Sequence, residues 1–354
     1  MSTDVIGGEF KIDADIAALA DMHGVSGKLF SSGRAALKHI LKRAFPQGKG
    51  TVLLPDHICG SVPDTIRDAG MICLFYHIGD DFLPVEDSIY EKLDAADAIL
   101  LVNYFGMIAE DTMCDQIKKI REHQKDQLVI IDNVQDYLGM EKWLGQDYAF
   151  TSYRKWFPVP DGASVLQWDG AKFRALHPEI EDDNRIEPVF SKYKFAGNVL
   201  KNYRDIIGDD ISLKLLEKGE EILEHESIEN ALLWTEEILK RIDIDAYMQQ
   251  RRDNARVLHD GLSEMGIPYL YKENAAPLFV PILIKNNRDK IRKEMFGRSV
   301  FCPIHWSEDW KVGYKGVNPN SLSDMELSLI CDQRYGINEM NLQLEILRNG
   351  CADI

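Results

Sequence analysis

The sequence predicts an α/β protein, with a mostly parallel sheet flanked by helices and a smaller C-terminal α+β domain. Apolar runs such as 98–105 and 128–132 are continuous, which indicates strands that are covered on both faces. Amphipathic segments of helical period separate these runs along the chain. The 354 residues, of which 45% are hydrophobic, suffice for a large and a smaller domain. We place the boundary near residue 230, with a large domain over 1–230 and a small domain over 231–354.

The first confident helix begins at Ser31-Ser32-Gly33-Arg34 and continues through Leu37, Ile40 and Leu41 at helical spacing until Pro46. Strands are then predicted at 51–55, 71–78, 98–105 and 128–132, and helices at 61–69, 85–93 and 111–124. Parallel sheets bind ligands beyond the carboxyl ends of their strands. The residues at those ends are Asp56-His57, Asn103-Tyr104, Asp132-Asn133 and Ser152.

The second half of the chain is less regular. A strand is predicted at 163–168, and residues 171–210, which mix charge, proline and aromatics, are predicted to form a long irregular excursion. Apolar stripes then predict helices through 228–242 and 244–265, the second of which ends at Gly266. The C-terminal part is predicted to hold strands at 278–284 and 299–304 and helices at 325–331 and 339–347.

Composition excludes several classes of function. The formal charge of −17 argues against nucleic acid as the main partner, because phosphate backbones are bound by basic faces. The 6 cysteines are scattered and form no CxxC, so neither a zinc site nor a disulfide framework is expected. No N-terminal signal pattern and no apolar run of about 18 residues is present. We therefore expect a cytoplasmic protein without metal or membrane partner.

The segment from Tyr148 to Ala163 is the strongest candidate for chemistry. It reads as a buried strand that ends at Ser152 and places Lys155 in a loop, because two prolines and a glycine follow. Apolar neighbours, here Trp156 and Phe157, can lower the pKa of a lysine. A neutral amine is the form that forms a Schiff base with a carbonyl compound.

Two upstream features add to this hypothesis, although each also has a simpler explanation. Ser32 and Gly33 open a helix, whose free N–H groups and positive dipole end suit an anion such as phosphate, but this segment taken alone favours a plain serine cap. Asp132 closes the apolar run Leu-Val-Ile-Ile, where it is either a functional carboxylate or an ordinary turn residue.

Taken together and in this order, these segments resemble the DegT/StrS-type sugar aminotransferases, which are pyridoxal-phosphate enzymes of fold type I. Ser32–Leu37 stands at the family's phosphate turn, and Phe150–Ser152 with Lys155 stands at its lysine motif. Four further segments match other family motifs, namely Leu53-Leu54-Pro55, Val102–Gly106, Ile130–Asp136 and Phe301–His305.

The resemblance implies pyridoxal 5'-phosphate as cofactor and assigns roles to single residues. Lys155 would bind the cofactor and move a proton as base and acid, and Asp132 would keep the pyridine nitrogen protonated. Gln135 would reach the ring or its phenolic oxygen, and Arg34, which replaces a threonine of the family, would contact phosphate. The complete set of implied cofactor-binding residues is Ser32, Gly33, Arg34, His57, Cys59, Asn103, Asp132, Gln135, Ser152 and Lys155.

The sequence departs from the family pattern on the substrate side. Pro158–Ala163 replaces a glycine-rich run, and the family's ring-stacking aromatic falls near Cys59, so that either His57 or Cys59 would cover the ring. The family segment that crosses to a partner subunit is not cleanly present, and 192–198 is the candidate replacement. These differences weaken the inference of a nucleotide-sugar substrate more than that of the cofactor.

The resemblance implies a homodimer with shared active sites and small-molecule partners. Three functions remain open. The first is transfer of an amino group from a donor such as glutamate to a nucleotide-linked keto-sugar. The second is a lyase, decarboxylase or racemase reaction on an amino acid with the same cofactor. The third is a cofactor-holding regulatory protein with little turnover.

Overall fold

The computed structural model describes residues 5–13, 24–179, 186–225, 229–315, 317 and 319–351. Its strands are β1 (Ile6–Gly7), β2 (Val25–Phe30), β3 (Thr51–Pro55), β4 (Ile72–Tyr76), β5 (Ala98–Val102), β6 (Leu128–Asp132), β7 (Tyr148–Ser152), β8 (Ala163–Trp168), β9 (Phe173–Leu176), β10 (Asn230–Leu232), β11 (Val280–Leu283), β12 (Val300–Phe301) and β13 (Glu326–Leu329). Its helices are α1 (Gly33–Ala44), α2 (Ser61–Asp68), α3 (Glu86–Leu93), α4 (Glu110–His123), α5 (Val189–Leu200), α6 (Arg204–Ile207), α7 (Asp210–Leu223), α8 (Leu233–Leu239), α9 (Ile244–Met265), α10 (Arg288–Gly297), α11 (Leu322–Met325) and α12 (Ile337–Cys351).

The chain divides into two compact units, each assembled from segments that are far apart in sequence. The first unit contains 1–8, 47–147 and 243–354, and the second contains 9–46 and 148–242. These two units do not coincide with the two domains that we expect on either side of residue 230. The boundary near residue 230 stays a prediction.

The first unit contains the parallel strands that the apolar runs predict. β4, β3, β5 and β6 pair in that order, and every one of these pairs is parallel. All residues of β5 are buried, which explains why its sequence does not alternate with polar positions. The carboxyl ends of these strands bring the residues that follow them to one edge. The α/β class and this parallel part of the fold are therefore confirmed.

The C-terminal part of the first unit contains an antiparallel pair, β11 with β13, and long helices. Helix α9 ends at Gly266, which adopts the left-handed conformation at φ 66° as the sequence predicts. Helices α9 and α12 approach closely at Gly261, where an added Cβ would lie 2.4 Å from a methyl carbon of Leu344. A side chain larger than hydrogen would therefore separate these two helices.

The second unit is antiparallel. Strands β10, β2, β8 and β7 pair in that order, with β9 on the outside of β8. The prediction of an irregular excursion over 171–210 is wrong in its described part, which contains β9, α5, α6 and the start of α7. Helix α5 forms because Phe190, Lys194, Phe195 and Asn198 recur at helical spacing and are all buried.

Three other predicted elements also differ. The predicted helix at 325–331 is strand β13, because Glu326, Leu327, Ser328 and Leu329 pair along β11 with the two-residue period of a strand. The predicted strand at 299–304 is reduced to β12, which pairs with β1. The helix stripe through 228–242 contains a short strand, β10, followed by α8.

Two features are absent from the described residues. No helix among them is long and apolar enough to cross a bilayer. No group of three His, Cys, Asp or Glu side chains in the same residues could hold a metal ion.

Candidate active site

In the second unit, β7 delivers the lysine predicted from the sequence. All five residues of this strand are buried, and it ends at Ser152, where a single 3-10 turn, Tyr153–Lys155, follows. Trp156 and Phe157 anchor the turn because both side chains are completely buried. Lys155 itself is exposed. The segment therefore forms a buried strand followed by a turn on which Lys155 is exposed. The next two residues, Trp156 and Phe157, lie in the core.

The loop after Lys155 is held by Asp161, which sequence reasoning did not select. Its buried carboxylate accepts hydrogen bonds from Ser191 Oγ at 2.6 Å, from the backbone N–H of Leu232 at 2.9 Å and from Thr235 Oγ1. Burial raises the pKa of Asp161 to about 6, although these hydrogen bonds act in the opposite direction. The Pro-Asp-Gly sequence is a turn signal, and that signal alone could have pointed to this residue.

The helix start predicted as an anion site lies beside this loop. Gly162 N–H donates to the carbonyl of Ser31 at 3.0 Å, and Phe30 is in register with Ala163. Ser32 caps α1, since its Oγ accepts from Ala35 N–H at 3.2 Å. The cap interpretation of Ser32 is thus confirmed, and the phosphate role of Ser32 and Gly33 stays a prediction.

Arg34 is the second residue of α1, and its guanidinium is engaged within the protein. Nη1 donates to the carbonyl of Leu223 at 3.1 Å. A direct contact between Arg34 and phosphate would compete with this hydrogen bond. The phosphate role of Arg34 stays a prediction.

A cluster of charges lies next to the lysine turn. Arg154 Nη1 and Lys194 Nζ lie 2.7 Å and 2.5 Å from the same oxygen, Oε1 of Glu220. Burial raises the pKa of Glu220, but the charges of Arg154, Lys194 and Lys155 outweigh this and hold it well below its usual range. Lys194 is buried and also pairs with Glu9. Sequence reasoning did not identify Glu220 or Arg154.

In the first unit, Asp132 ends β6 with a buried carboxylate. Its Oδ1 accepts from Val134 N–H at 2.8 Å, and in the part of the chain that the structure describes no group bonds Oδ2. Burial raises the pKa of Asp132 to about 7, and the hydrogen bond from Val134 only partly opposes this. The carboxylate would ionise more readily if a donor or a cation reached Oδ2.

The turn after β5 lies against the residues that follow β6. Gln135 Oε1 accepts from Phe105 N–H at 3.1 Å, where Phe105 has the left-handed φ of 57°. Asn103 bridges the same turn, because Nδ2 donates to Asp136 Oδ2 at 2.7 Å and Oδ1 accepts from Ile108 N–H at 3.2 Å. Asn103 therefore holds the turn, and its cofactor contact stays a prediction.

One polar atom of Gln135 is left over. The side chain is 3% exposed, and Nε2 has no hydrogen bond to any described residue. The ends of β5 and β6 therefore present a spare acceptor, Asp132 Oδ2, and a spare donor, Gln135 Nε2. Neither atom belongs to the fully buried, unpartnered side-chain atoms of the described residues, so both keep some contact with solvent, and a ligand that bonds both would replace water there.

His57 and Cys59, the two candidates for covering a ligand ring, differ in their surroundings. The buried His57 ring lies within 6 Å, centroid to centroid, of Phe82, Tyr104 and Trp306, and its Nε2 lacks a partner among the described residues. Burial, and then the charge of Lys311, lowers the pKa of His57 to about 3, so the imidazole is neutral. Cys59 is half-buried, and its Sγ lies 3.2 Å from Ser61 Oγ.

The predicted residues thus fall into two groups. The first unit holds His57, Cys59, Asn103, Asp132 and Gln135, of which Asn103 and Gln135 share one turn. The second unit holds Ser32, Gly33, Arg34, Ser152 and Lys155, where the helix start and the lysine loop are joined through Ser31 and Gly162.

Comparisons by sequence and by structure gave different results. No protein-family model matches the chain, and no curated protein matches it by sequence. Solved structures do match over nearly the whole chain. Spr1654 from Streptococcus pneumoniae in its PLP-form, assigned as a sugar aminotransferase, is 14% identical with a TM-score of 0.65, and the match covers 99% of each chain.

Two further structures agree with this result. PseC of Helicobacter pylori, an aminotransferase involved in the biosynthesis of pseudoaminic acid, is 13% identical with a TM-score of 0.64, covering 99% of this chain and 100% of its own. A DegT DnrJ EryC1 StrS aminotransferase from Brucella abortus is 14% identical with a TM-score of 0.61, covering 96% and 91%. At these identities the likeness establishes the fold, and the chain has the fold of the sugar aminotransferases of the DegT/DnrJ/EryC1/StrS group.

Proposed function

We propose that this protein is a pyridoxal-phosphate-dependent aminotransferase that transfers an amino group from an amino acid such as glutamate to a keto-sugar linked to a nucleotide. The observation that carries the proposal is the exposed Lys155 on a turn that directly follows a buried strand, in a chain with the fold of sugar aminotransferases. The similar structures include PLP- and PMP-forms of Spr1654 and a DesI structure with its TDP-sugar product.

The residues in each unit fit the chemistry of this cofactor. Asp132 Oδ2 and Gln135 Nε2, on two residues that are buried overall, supply an unused acceptor and an unused donor, which suit a protonated pyridine nitrogen and a phenolic oxygen. The N-terminus of α1 at Gly33 suits a phosphate group, with Ser32 and Ser152 as hydroxyl donors. Lys155 supplies the amine that bonds an aldehyde.

When bound, the cofactor supplies an electron sink for negative charge on the substrate carbon. Asp132, when ionised, would hold a proton on the ring nitrogen. Lys155 would receive a proton as base and return it as acid, so its amine would have to be neutral during part of each turnover. The hydroxyl groups of Ser32 and Ser152 and the start of α1 would bind the phosphate group.

The test of the cofactor assignment uses Lys155→Ala, with the exposed Lys118→Ala as the matched control. The wild-type and control proteins are expected to be yellow with pyridoxal phosphate, and borohydride should fix the label on the peptide that contains Lys155. Lys155→Ala should take up no fixed label while its thermal unfolding stays within about 0.5 kcal/mol of wild type. A label on another lysine, or none on the wild type, would contradict the assignment.

The reaction class needs a separate measurement. Glutamate is expected to convert the aldehyde form of the holoenzyme to its amine form and to release 2-oxoglutarate. Release of carbon dioxide or ammonia from an amino acid would instead support the lyase or decarboxylase alternative. Absence of any turnover, together with a cellular role that Lys155→Ala retains, would support the regulatory alternative.

We also propose a homodimer in which each subunit completes the site of the other. Exposed apolar side chains near the start of α7, such as Ile206 at 81%, Ile211 at 50% and Leu213 at 54% exposure, support a subunit contact in the second unit. Ile211→Glu and Leu213→Glu are expected to weaken the dimer in sedimentation experiments. A monomeric active wild-type protein would contradict this part of the proposal.

A further inference from the structure

Strand β13 places two polar side chains in the interior of the first unit. Glu326 and Ser328 are two residues apart in an extended strand, so both side chains lie on the same face. Both are completely buried, between flanking positions that hold leucines. Buried carboxyl and hydroxyl groups need hydrogen-bond partners, and both side chains find one in His305.

Two hydrogen bonds connect these side chains to His305, and a third connects them to each other. Its backbone N–H donates to Glu326 Oε2 at 2.6 Å, which fixes the position of the residue. Ser328 Oγ lies 2.5 Å from Glu326 Oε1 and 2.8 Å from His305 Nδ1. A continuous chain of hydrogen bonds therefore runs from a buried carboxyl group, through one hydroxyl, to an imidazole that is only half-buried.

The surroundings of this chain are mainly aromatic and cationic. The His305 ring packs against Phe105, Phe279 and Trp306, with centroids 5.0 to 5.5 Å away. Arg288 and Arg292 of α10 are the charged groups that act on Glu326, and the neutral His57 ring lies 5.5 Å, centroid to centroid, from Trp306, the residue after His305. Burial outweighs the arginines and raises the pKa of Glu326 to about 8, so the acid is protonated at neutral pH.

We propose that Glu326 and Ser328 are positioning residues that set the tautomer of His305. With the acid protonated, Glu326 donates to Ser328 Oγ and the hydroxyl donates to Nδ1. Nδ1 is then an acceptor, and the ring proton resides on Nε2.

Ionisation of Glu326 reverses the direction of the chain. The hydroxyl of Ser328 now donates to the carboxylate, and Nδ1 donates to Ser328 Oγ. One proton has moved along the chain from the acid to Nδ1, and Nε2 has released one, so the system loses a single proton in total. His305 Nε2 changes from a hydrogen-bond donor to an acceptor.

The functional meaning of this switch rests on the proposed function. Phe105 contacts the His305 ring and donates to Gln135, so His305 lies beside the turn that carries the spare donor of Gln135. At neutral pH a donor at Nε2 favours an oxygen acceptor, such as a carboxylate, phosphate or carbonyl oxygen of the ligand. Specificity for such a group would weaken as Glu326 ionises.

The decisive test needs no turnover. Nitrogen-15 NMR of the histidine rings would be recorded for the full apo chain between about pH 6 and pH 10. In the wild type, His305 is expected in the Nε2–H tautomer at neutral pH, with a tautomer change centred near pH 8. Glu326→Gln, whose amide mimics the protonated acid, should keep the Nε2–H tautomer throughout this range.

Two further variants complete the test. Ser328→Ala interrupts the chain and should make His305 titrate by itself, while Ser323→Ala, which alters a serine bonded to Glu308, should behave like the wild type. A wild-type His305 that carries its proton on Nδ1 at neutral pH would overturn the proposal. A Glu326→Gln protein with the wild-type pH transition would do so as well.

Assay of the holoenzyme provides a second readout. If the proposed function holds, KM for the acceptor in the wild type should rise about tenfold above pH 8, which corresponds to the loss of one hydrogen bond of about 1.4 kcal/mol. KM of Glu326→Gln should stay constant over the same range. An inactive holoenzyme would count against the proposed function and would leave the NMR result valid.

Discussion

The backbone N–H of Phe105 donates to the side-chain oxygen of Gln135 at 3.1 Å, and this bond joins the ends of two neighbouring parallel strands. Phe105 has a positive φ, which is costly for a residue with a bulky side chain unless its surroundings hold it in place. The two polar atoms of the Gln135 side chain thus differ in use. Oε1 accepts the hydrogen bond that stabilises the turn at Phe105, and Nε2 remains available to a ligand.

Gln135→Ala is therefore expected to destabilise the apo protein by about 1–3 kcal/mol, because the buried N–H of Phe105 loses its acceptor. Urea unfolding of the apo form measures this change. Gln249→Ala, an exposed change on α9, should be neutral. Equal stability of Gln135→Ala and the wild type would show that the turn does not depend on this hydrogen bond.

The raised pKa of Asp132 predicts that the stability of the apo protein depends on pH. The folded pKa of about 7 lies above the unfolded value near 3.9, so the folded apo chain binds the extra proton. Stability from this group therefore falls as the pH rises from about 4 to about 7, by at most about 4 kcal/mol. Asp132→Asn should be more stable than the wild-type apo protein at pH 8 and should match it near pH 4.

The same variant separates stability from ligand binding. Asp132→Asn cannot neutralise a protonated pyridine nitrogen, so its affinity for pyridoxal phosphate should fall while its melting temperature at pH 8 rises. The exposed Asp87→Asn is the control for both measurements. If Asp132→Asn lost both stability and affinity at pH 8, this would contradict our description of Asp132 as a buried carboxylate with a single hydrogen bond among the described residues.

Substitution of Asp161 should lower the stability of the protein more than substitution at most other positions of the second unit. Asp161→Ala leaves the donors of Ser191, Leu232 and Thr235 without an acceptor, and a loss of about 3–5 kcal/mol is expected. Chemical denaturation measures the loss, with the exposed Asp205→Asn of α6 as the control. A loss below about 1 kcal/mol would mean that the loop after Lys155 is held by other contacts.

Alanine substitution should have different effects on stability at two helical glycines, Gly219 of α7, which packs closely on α5, and Gly297 of α10, which has open space beside it. A Cβ at Gly219 would lie 2.9 Å from Lys194 Cγ and 3.1 Å from the carbonyl oxygen of Phe190. Gly219→Ala should therefore destabilise by about 1–3 kcal/mol despite its better helix propensity. Gly297→Ala, where no atom lies within 4 Å, should be neutral or slightly stabilising. Thermal unfolding of both variants distinguishes packing from propensity.

The sequence was most informative where one strong local signal determines the structure. The apolar runs of β5 and β6, the cap at Ser32 and the glycine end of α9 have such signals, and these elements were predicted within a few residues. The segment 325–331 predicts a helix because Met325 and Leu329, and likewise Leu327 and Ile330, lie at helical spacing, while the pairing with β11 that determines the structure of β13 is a long-range contact.

Site residues were predictable where they belong to motifs, and the supporting residues were not. Lys155 and Asp132 stand at strand ends, which sequence patterns identify. Glu220, Glu326 and Asp161 act through partners that are distant in sequence, such as Arg154, His305 and Thr235. Only folding brings these partners together, so composition and spacing contain no signal for Glu220 and Glu326, and for Asp161 they contain only the turn signal of Pro-Asp-Gly.

The pairing of β10 with β2 joins residues about 200 positions apart, because Asn230 is in register with Phe30. Synthesis of the chain must therefore pass residue 232 before β2 can gain its second neighbour, and its edge stays open until then. An expression fragment that stops at residue 229 would expose that edge to pairing between molecules. Attempts to produce the N-terminal portion alone should therefore yield aggregates, whereas co-expression with the remaining C-terminal fragment gives β2 the chance to recover its missing neighbour.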